Sequence, residues 1–290
     1  MPFLEDLIGN TPLVELKRLS PNPEVRLLAK LEGNNPGGSV KDRTAYFMVK
    51  GAIERGELKP GMKLIEATSG NTGIALAMIA RLFDIEMELV MPANSTRERV
   101  LTMEAYGAKV TLVESMEAAR DFVVEKADEG EYLVLNQFAN PDNWRAHYST
   151  TGPEIWRDTE GAITHFVSSM GTTGTIMGCS RYLKEQNPDV RIVGCQPSDG
   201  ASIPGIRKWP AEYLPKIFER ERVDEVVEVS EENAVNMTRQ LARVEGIFAG
   251  MSSGGAAFAA VEVAKKIESG TVVFVVCDRG DRYLSSTLFG

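Results

Sequence analysis

One lysine stands where a single amine could do chemistry. In Gly33-Asn-Asn-Pro-Gly-Gly-Ser-Val-Lys-Asp-Arg43, Pro36 and the Gly37-Gly38 pair break any preceding strand, and Ser39 with Asp42 reads as a capping box that opens a helix. Lys41 then falls in the first turn. There the positive end of the helix dipole disfavours an ammonium, and burial disfavours it further. A neutral amine so placed can form a Schiff base. A solvated charge on a capped helix uses the same letters, so the motif alone leaves both readings open.

Three polar glycine loops supply a second kind of chemistry: Thr68-Ser-Gly-Asn-Thr-Gly73, Gly171-Thr-Thr-Gly-Thr175 and Gly250-Met-Ser-Ser-Gly-Gly255. Each is expected to follow an apolar strand and open a helix. Backbone N–H groups and helix dipoles converge on an anion there, and glycine lets it approach the main chain closely. Tight βα turns use the same residues, which explains any one loop but poorly explains three. None fits Gly-x-Gly-x-x-Gly or the Gly-x-x-x-x-Gly-Lys phosphate loop, so no dinucleotide or nucleoside triphosphate is indicated. At Val275-Val-Cys-Asp-Arg-Gly-Asp-Arg282 a strand ends on Cys277, a residue type most often buried as a small hydrophobe. Only two histidines exist, His147 and His165, and neither has a motif linking it to Cys277. A thiol hydrolase and a zinc site are both unsupported.

The elements that must position these residues alternate along the chain. Apolar, β-branched runs over 25–31, 63–67, 87–91, 109–113, 132–135, 165–168, 190–194 and 271–276 predict strands. Amphipathic segments over 40–55, 74–83, 95–106, 116–128, 175–185, 231–244 and 256–267 predict helices. The alternation means α/β with mainly parallel strands. No repeat, low-complexity tract or charge block marks a linker. The loop Gln137-Phe-Ala-Asn-Pro-Asp-Asn143 lies between two βα-rich halves, and a division is expected near it.

Composition removes other classes. The chain has 290 residues, 43% of them hydrophobic, enough for one large or two medium domains. A net charge of -9 and no basic stripe argue against nucleic-acid binding. Cys179, Cys195 and Cys277 have no metal spacing and cannot all pair, and the N-terminus lacks the basic region of a signal peptide. With no apolar run near the roughly 18 residues of a membrane span, a soluble cytoplasmic protein is expected.

The motifs together resemble one family. Ile8-Gly-Asn-Thr-Pro-Leu13, Lys30-Leu-Glu-Gly-Asn-Asn-Pro36, Ser39-Val-Lys-Asp-Arg43, Glu66-Ala-Thr-Ser-Gly-Asn-Thr-Gly73, Ser169-Met-Gly-Thr-Thr-Gly-Thr175 and Cys277-Asp-Arg-Gly-Asp-Arg-Tyr283 are similar to those of the fold type II pyridoxal-phosphate enzymes, the tryptophan synthase β-like family. The resemblance runs end to end and points to the O-acetylserine sulfhydrylase branch. Cys277 and Ser202-Ile-Pro-Gly-Ile-Arg-Lys-Trp-Pro210 look like its B form rather than its A form.

The resemblance implies two three-layer α/β domains with mainly parallel twisted sheets. Residues 1–34 would pack on the larger domain, 35–145 would form a smaller mobile domain, and 146–290 a larger cofactor-binding one. Lys41 would hold pyridoxal 5'-phosphate as a Schiff base and then act as general base on the substrate Cα. Gly171, Thr172, Thr173, Gly174 and Thr175 would hold the cofactor phosphate. Thr68, Ser69, Asn71, Thr72 and Gln137 would hold the substrate carboxylate, with Asn71 also reaching the pyridine 3-hydroxyl. Cys277 would face the pyridine nitrogen, with Ser252 close to the same ring. The implied reaction replaces acetate of O-acetyl-L-serine by sulfide, or by thiosulfate, through an α-aminoacrylate; Arg207 and Lys208 beside Trp209 read equally as a cationic receptor for thiosulfate or as a solvated basic turn. A homodimer is implied as well. Cystathionine synthesis, threonine dehydration and a non-catalytic regulatory homologue are the alternatives, since the Lys41 motif does not separate them.

Overall fold

The computed structural model describes residues 1–290. Its strands are β1 Leu13–Glu15, β2 Val25–Leu31, β3 Lys63–Ala67, β4 Met87–Pro92, β5 Lys109–Val113, β6 Tyr132–Leu133, β7 His165–Ser169, β8 Arg191–Pro197, β9 Glu225–Val229 and β10 Gly270–Val276. They divide between a six-stranded sheet in the order β1-β2-β10-β7-β8-β9 and a four-stranded sheet in the order β5-β4-β3-β6. Every pairing is parallel except β1 with β2. The N-terminal strands β1 and β2 thus join the sheet built by the C-terminal half.

Period-2 alternation splits the large sheet's side chains between two helical layers. The helices are α1 Lys41–Glu54, α2 Asn71–Leu82, α3 Arg97–Ala105, α4 Met116–Asp128, α5 Pro141–Ala146, α6 Gly152–Asp158, α7 Gly174–Gln186, α8 Glu231–Glu245 and α9 Met251–Lys266. Leu27, Val167, Val193, Val272 and Phe274 share one core with α8 and α9, whereas their neighbours Leu28, Phe166, Ile192 and Val273 share another with α6 and α7. In the small sheet Leu64 and Leu89 face α1 and α2, while Ile65 and Val90 face α4. Both bodies are therefore three-layered. Strands covered on both faces read as unbroken apolar runs, which is why β10, Gly-Thr-Val-Val-Phe-Val-Val, is so legible.

Where sequence and structure differ, the cause is local. β1 has three residues, too few to show a period, and the edge strand β9 is Glu-Val-Val-Glu-Val, with charges that mask it. The Ser39/Asp42 capping box does not form. Ser39 Oγ accepts from the Lys41 N–H at 3.2 Å, but the Asp42 carboxylate turns back to accept from the Gly37 N–H at 2.5 Å. The segment 250–255 also differs, because no long strand precedes it and, past Gly250 at the cap, its Gly254 and Gly255 lie inside α9. A Cβ on Gly254 would sit 2.0 Å from Thr238 Oγ1 and 2.3 Å from the Ala234 carbonyl, so that glycine exists to let α9 touch α8.

Candidate active site

In each sheet the chain leaves one strand in opposite directions, and ligands bind at such switch points, beyond the carboxyl ends of the strands. In the large sheet the switch is at β7, flanked by β8 and β10; in the small one it is at β3, flanked by β4 and β6. The loop after β7 holds Gly171, Thr172 and Thr173, and Gly174 and Thr175 begin α7. The loop after β3 holds Thr68 and Ser69, and Asn71 and Thr72 open α2. Gln137 follows β6, and Cys277 follows β10.

Two connected cavities join these points. The inner one is lined by Lys41, Asn71, the five residues of 171–175, Ser252 and Cys277. The outer one, about 250 Å³, is lined by Lys41, Thr68, Ser69, Asn71, Thr72 and Gln137, with Gly171 and Thr172 shared. Every residue expected to hold cofactor or substrate, Lys208 apart, thus lines these adjoining cavities, and Lys41 lines both.

Lys41 begins α1, half-buried, and its Nζ makes no hydrogen bond or ion pair. Burial holds its pKa below the ordinary lysine value, opposed by the nearby Cys277 and Asp278. The helix is anchored two residues on. Arg43 is buried and pairs with Glu32 at 2.7 Å and Glu154 at 2.6 Å, and Lys30 meets Glu154 at 2.8 Å. Burial alone would raise Glu154, but Arg43 and Lys30 outweigh it and hold the carboxyl at about 2. This ion cluster ties α1 to β2 and α6, so the lysine backbone has little freedom. The sequence reading missed it, because its members are far apart in the chain.

The loop after β7 is built around a strained residue. Thr173 has φ 70°, a left-handed conformation that a β-branched residue rarely adopts. Its Oγ1 is buried and without a partner. The first turn of α7 adds free backbone N–H groups at the positive end of the helix dipole. Asn143, fully buried, braces the loop: its Nδ2 donates to Thr172 Oγ1 at 3.0 Å and to the Gln137 carbonyl at 2.7 Å. A Cβ on Gly174 would lie 1.9 Å from Asn143 Oδ1. Beneath, His147 Nε2 lies 3.4 Å from Thr44 Oγ1 and 3.3 Å from Thr175 Oγ1. Burial lowers its pKa to about 3, which leaves it neutral. Asn143 sits in the segment read only as a boundary, so nothing in the sequence signalled its bracing role.

The small-sheet side offers side chains instead. Thr72 Oγ1 donates to Gln137 Oε1 at 2.8 Å, which leaves the Gln137 amide N–H groups for a ligand. The Gln137 loop is set by Glu66, whose carboxylate accepts from the Asn136 N–H at 3.3 Å; burial pushes this carboxyl up to about 7. Around the outer cavity stand Arg99, Arg120 and Arg207, and no carboxylate lines it. Trp209 Nε1 donates to the Gly171 carbonyl at 2.8 Å and its ring meets Phe138 edge-on. Lys208 points elsewhere, to Asp199 at 2.7 Å and Glu228 at 2.6 Å, so of the expected Arg207/Lys208 pair only Arg207 reaches the cleft.

Cys277 is half-buried, and burial, aided by the Asp278 charge, pushes its thiol up to about 12. It therefore stays protonated. The donor set fits a phosphorylated aldehyde bearing a heteroaromatic ring: an anion cradle with an unused hydroxyl, a free lysine amine, and neutral Ser252 and Cys277 between them.

Those features define an α/β protein with an unpaired lysine facing an anion cradle, and the chain belongs to the pyridoxal-phosphate dependent enzyme family, whose model matches residues 4–278. Its architecture is that of fold type II. The chain is 58% identical to cysteine synthase B of Pseudomonas aeruginosa, with 99% of this chain and 97% of that protein covered. It is also 58% identical to cysteine synthase B of Escherichia coli, covering 100% and 97%. Among solved structures it resembles a cysteine synthase from Entamoeba histolytica, with a TM-score of 0.94 and 39% identity over 100% of this chain and 90% of that one.

Proposed function

We propose that this enzyme replaces the acetate of O-acetyl-L-serine by sulfide to give L-cysteine, with thiosulfate as a second sulfur donor giving S-sulfocysteine. The observation that carries the reading is Lys41: half-buried, unpaired, and shared by an anion cradle and a carboxylate-binding cleft. The relatives named cysteine synthase B, at 58% identity over nearly the full chain, choose the reaction among those this fold supports.

When bound, pyridoxal phosphate supplies an aldehyde that combines with amines and a ring that withdraws electrons from the substrate Cα. The chain does the rest. Gly171, Thr172, Thr173, Gly174 and Thr175 hold the phosphate at the start of α7. Lys41 Nζ would hold the cofactor and would take the substrate Cα proton, a task that needs the neutral amine favoured by burial. Thr68, Ser69, Thr72 and the Gln137 amide orient the substrate carboxylate, and Asn71 reaches both substrate and cofactor. The protonated Cys277 would face the ring nitrogen and Ser252 would lie close to the ring, neutral groups that would temper its pull on electrons. Arg207, with Arg99 and Arg120, provides the positive potential that draws an anionic sulfur donor.

The same reading takes residues 35–145 as the smaller body, moving toward 146–290 on substrate binding to exclude water, with 1–34 attached to the larger body. A homodimer in the cytoplasm completes it. No helix is long and apolar enough to cross a membrane.

A spectral titration tests the assignment. O-acetyl-L-serine should shift the visible absorption of the cofactor-loaded enzyme, and sulfide or thiosulfate should restore it with release of the amino-acid product. No response to O-acetyl-L-serine would sink the reading and favour a regulatory binding protein.

A further inference from the structure

The proposed chemistry uses only the first residue of Cys277-Asp-Arg-Gly-Asp-Arg-Tyr283, yet Asp278 and Arg282 of the same turn converge on one side chain. Asn71 Nδ2 donates to Asp278 Oδ2 at 2.8 Å, and Asn71 Oδ1 accepts from the Arg282 guanidinium. The same Asp278 oxygen accepts from the Tyr283 hydroxyl at 2.6 Å. Arg282 also donates to the Gly37 carbonyl, and the Val40 N–H donates to the Cys277 carbonyl at 2.8 Å. The turn after the large sheet's central strand therefore grips both the Lys41 loop and the first residue of α2.

The chemistry of the partners fixes which way the Asn71 amide points. A guanidinium can only donate, so it must face the amide oxygen; the acceptor Asp278 must face the amide nitrogen. One N–H and one oxygen lone pair are used by the clamp. One of each remains, and Asn71 lines both cavities. An unclamped amide could rotate and offer either end, losing that preference. The clamp is also costly: Asp278 is buried, its Oδ1 has no partner, and a buried acceptor left unsatisfied is retained against its desolvation.

We propose that Asp278 and Arg282 are positioning residues that aim the remaining N–H of Asn71 into the cofactor and substrate cavity. The inference rests on the reading that Asn71 touches cofactor or substrate. Because both hydrogen bonds to Asp278 fall on Oδ2 while Oδ1 is unused, an asparagine at 278 can keep both with its carbonyl oxygen, whereas an alanine keeps neither.

The test is a double-mutant cycle read by binding. The affinity of cofactor-free protein for pyridoxal phosphate is measured by quenching of protein fluorescence, with thermal midpoints recorded for every variant. Asp278→Ala is expected to weaken binding about tenfold in the wild-type background and to add nothing to Asn71→Ala, with Asp278→Asn within about threefold of wild type. Arg282→Met, at a half-exposed site, runs the same cycle should Asp278→Ala fail to fold. Equal losses with and without the Asn71 side chain would overturn the clamp, as would Asp278→Asn behaving like Asp278→Ala. If Asn71→Ala leaves both cofactor affinity and the O-acetyl-L-serine spectral response unchanged, the reading of Asn71 itself falls, and the clamp with it.

Discussion

The two sheets present their carboxyl ends to one cleft with different equipment. The large sheet offers backbone: free N–H groups at the start of α7, held by a left-handed Thr173 and a buried Asn143 that leaves no room for a Cβ at 174. The small sheet offers side chains, the Thr68, Ser69 and Thr72 hydroxyls after β3 and the Gln137 amide after β6, the latter on a loop held by Glu66 and Asn143. Backbone donors fixed by packing suit a group that stays bound through many turnovers. Side-chain donors that can exchange one partner for another, as the Thr72 hydroxyl and the Gln137 amide can, suit one that arrives and leaves. Lys41 stands where the two meet, on a helix locked by a dry ion cluster.

That contrast can be broken at several points. Lys41→Ala should have the largest effect: turnover falls by at least about a thousandfold in steady-state assays, while the protein folds and binds cofactor without a covalent bond. Normal turnover in this variant would remove the lysine from the mechanism. Gly174→Ala comes next, since the new methyl meets Asn143 Oδ1 at 1.9 Å. It should cost about 1–3 kcal/mol by denaturant unfolding and weaken cofactor binding, because the cradle must shift. Gln137→Ala should do the reverse, raising the KM for O-acetyl-L-serine about tenfold with cofactor affinity unchanged. A matching loss of cofactor affinity would erase the distinction between the two sides.

A further effect concerns pH. Glu66 folds with its carboxyl raised from 4.5 to about 7, so the folded state binds the extra proton and stability is lost as pH rises through that window. Glu66→Gln avoids the loss. Its stability relative to wild type should grow between pH 5 and pH 8, by at most about 3 kcal/mol, since each pH unit across the window is worth about 1.4 kcal/mol. A difference that is flat with pH in urea titrations would refute this. Glu154 has the opposite sign, because its carboxyl is depressed to about 2; the stability it adds is present above pH 4.5 and lost as pH falls toward 2.

Much of this was legible in the chain. A buried parallel strand such as β10 announces itself by an unbroken apolar run, and the loops at 68–73 and 171–175 by glycine and hydroxyl residues at strand-to-helix turns. The resemblance of the motifs then joined Lys41 to those loops. What misled was local grammar: Ser39 and Asp42 have capping-box spacing, but Asp42 found a nearer donor in Gly37, and Gly254 serves helix packing rather than an anion.

By itself the sequence determined which residue types could do chemistry and which elements would carry them, because helix and strand periods and turn residues are properties of neighbours. Only the tertiary structure decided who meets whom. Arg43 with Glu32 and Glu154, Asn143 with Thr172, and Asn71 with Asp278 and Arg282 are pairings across 11, 111, 29, 207 and 211 positions. No local spacing encodes them; packing two three-layered bodies against each other does. The same packing lowers the pKa of Lys41 and so favours its neutral amine.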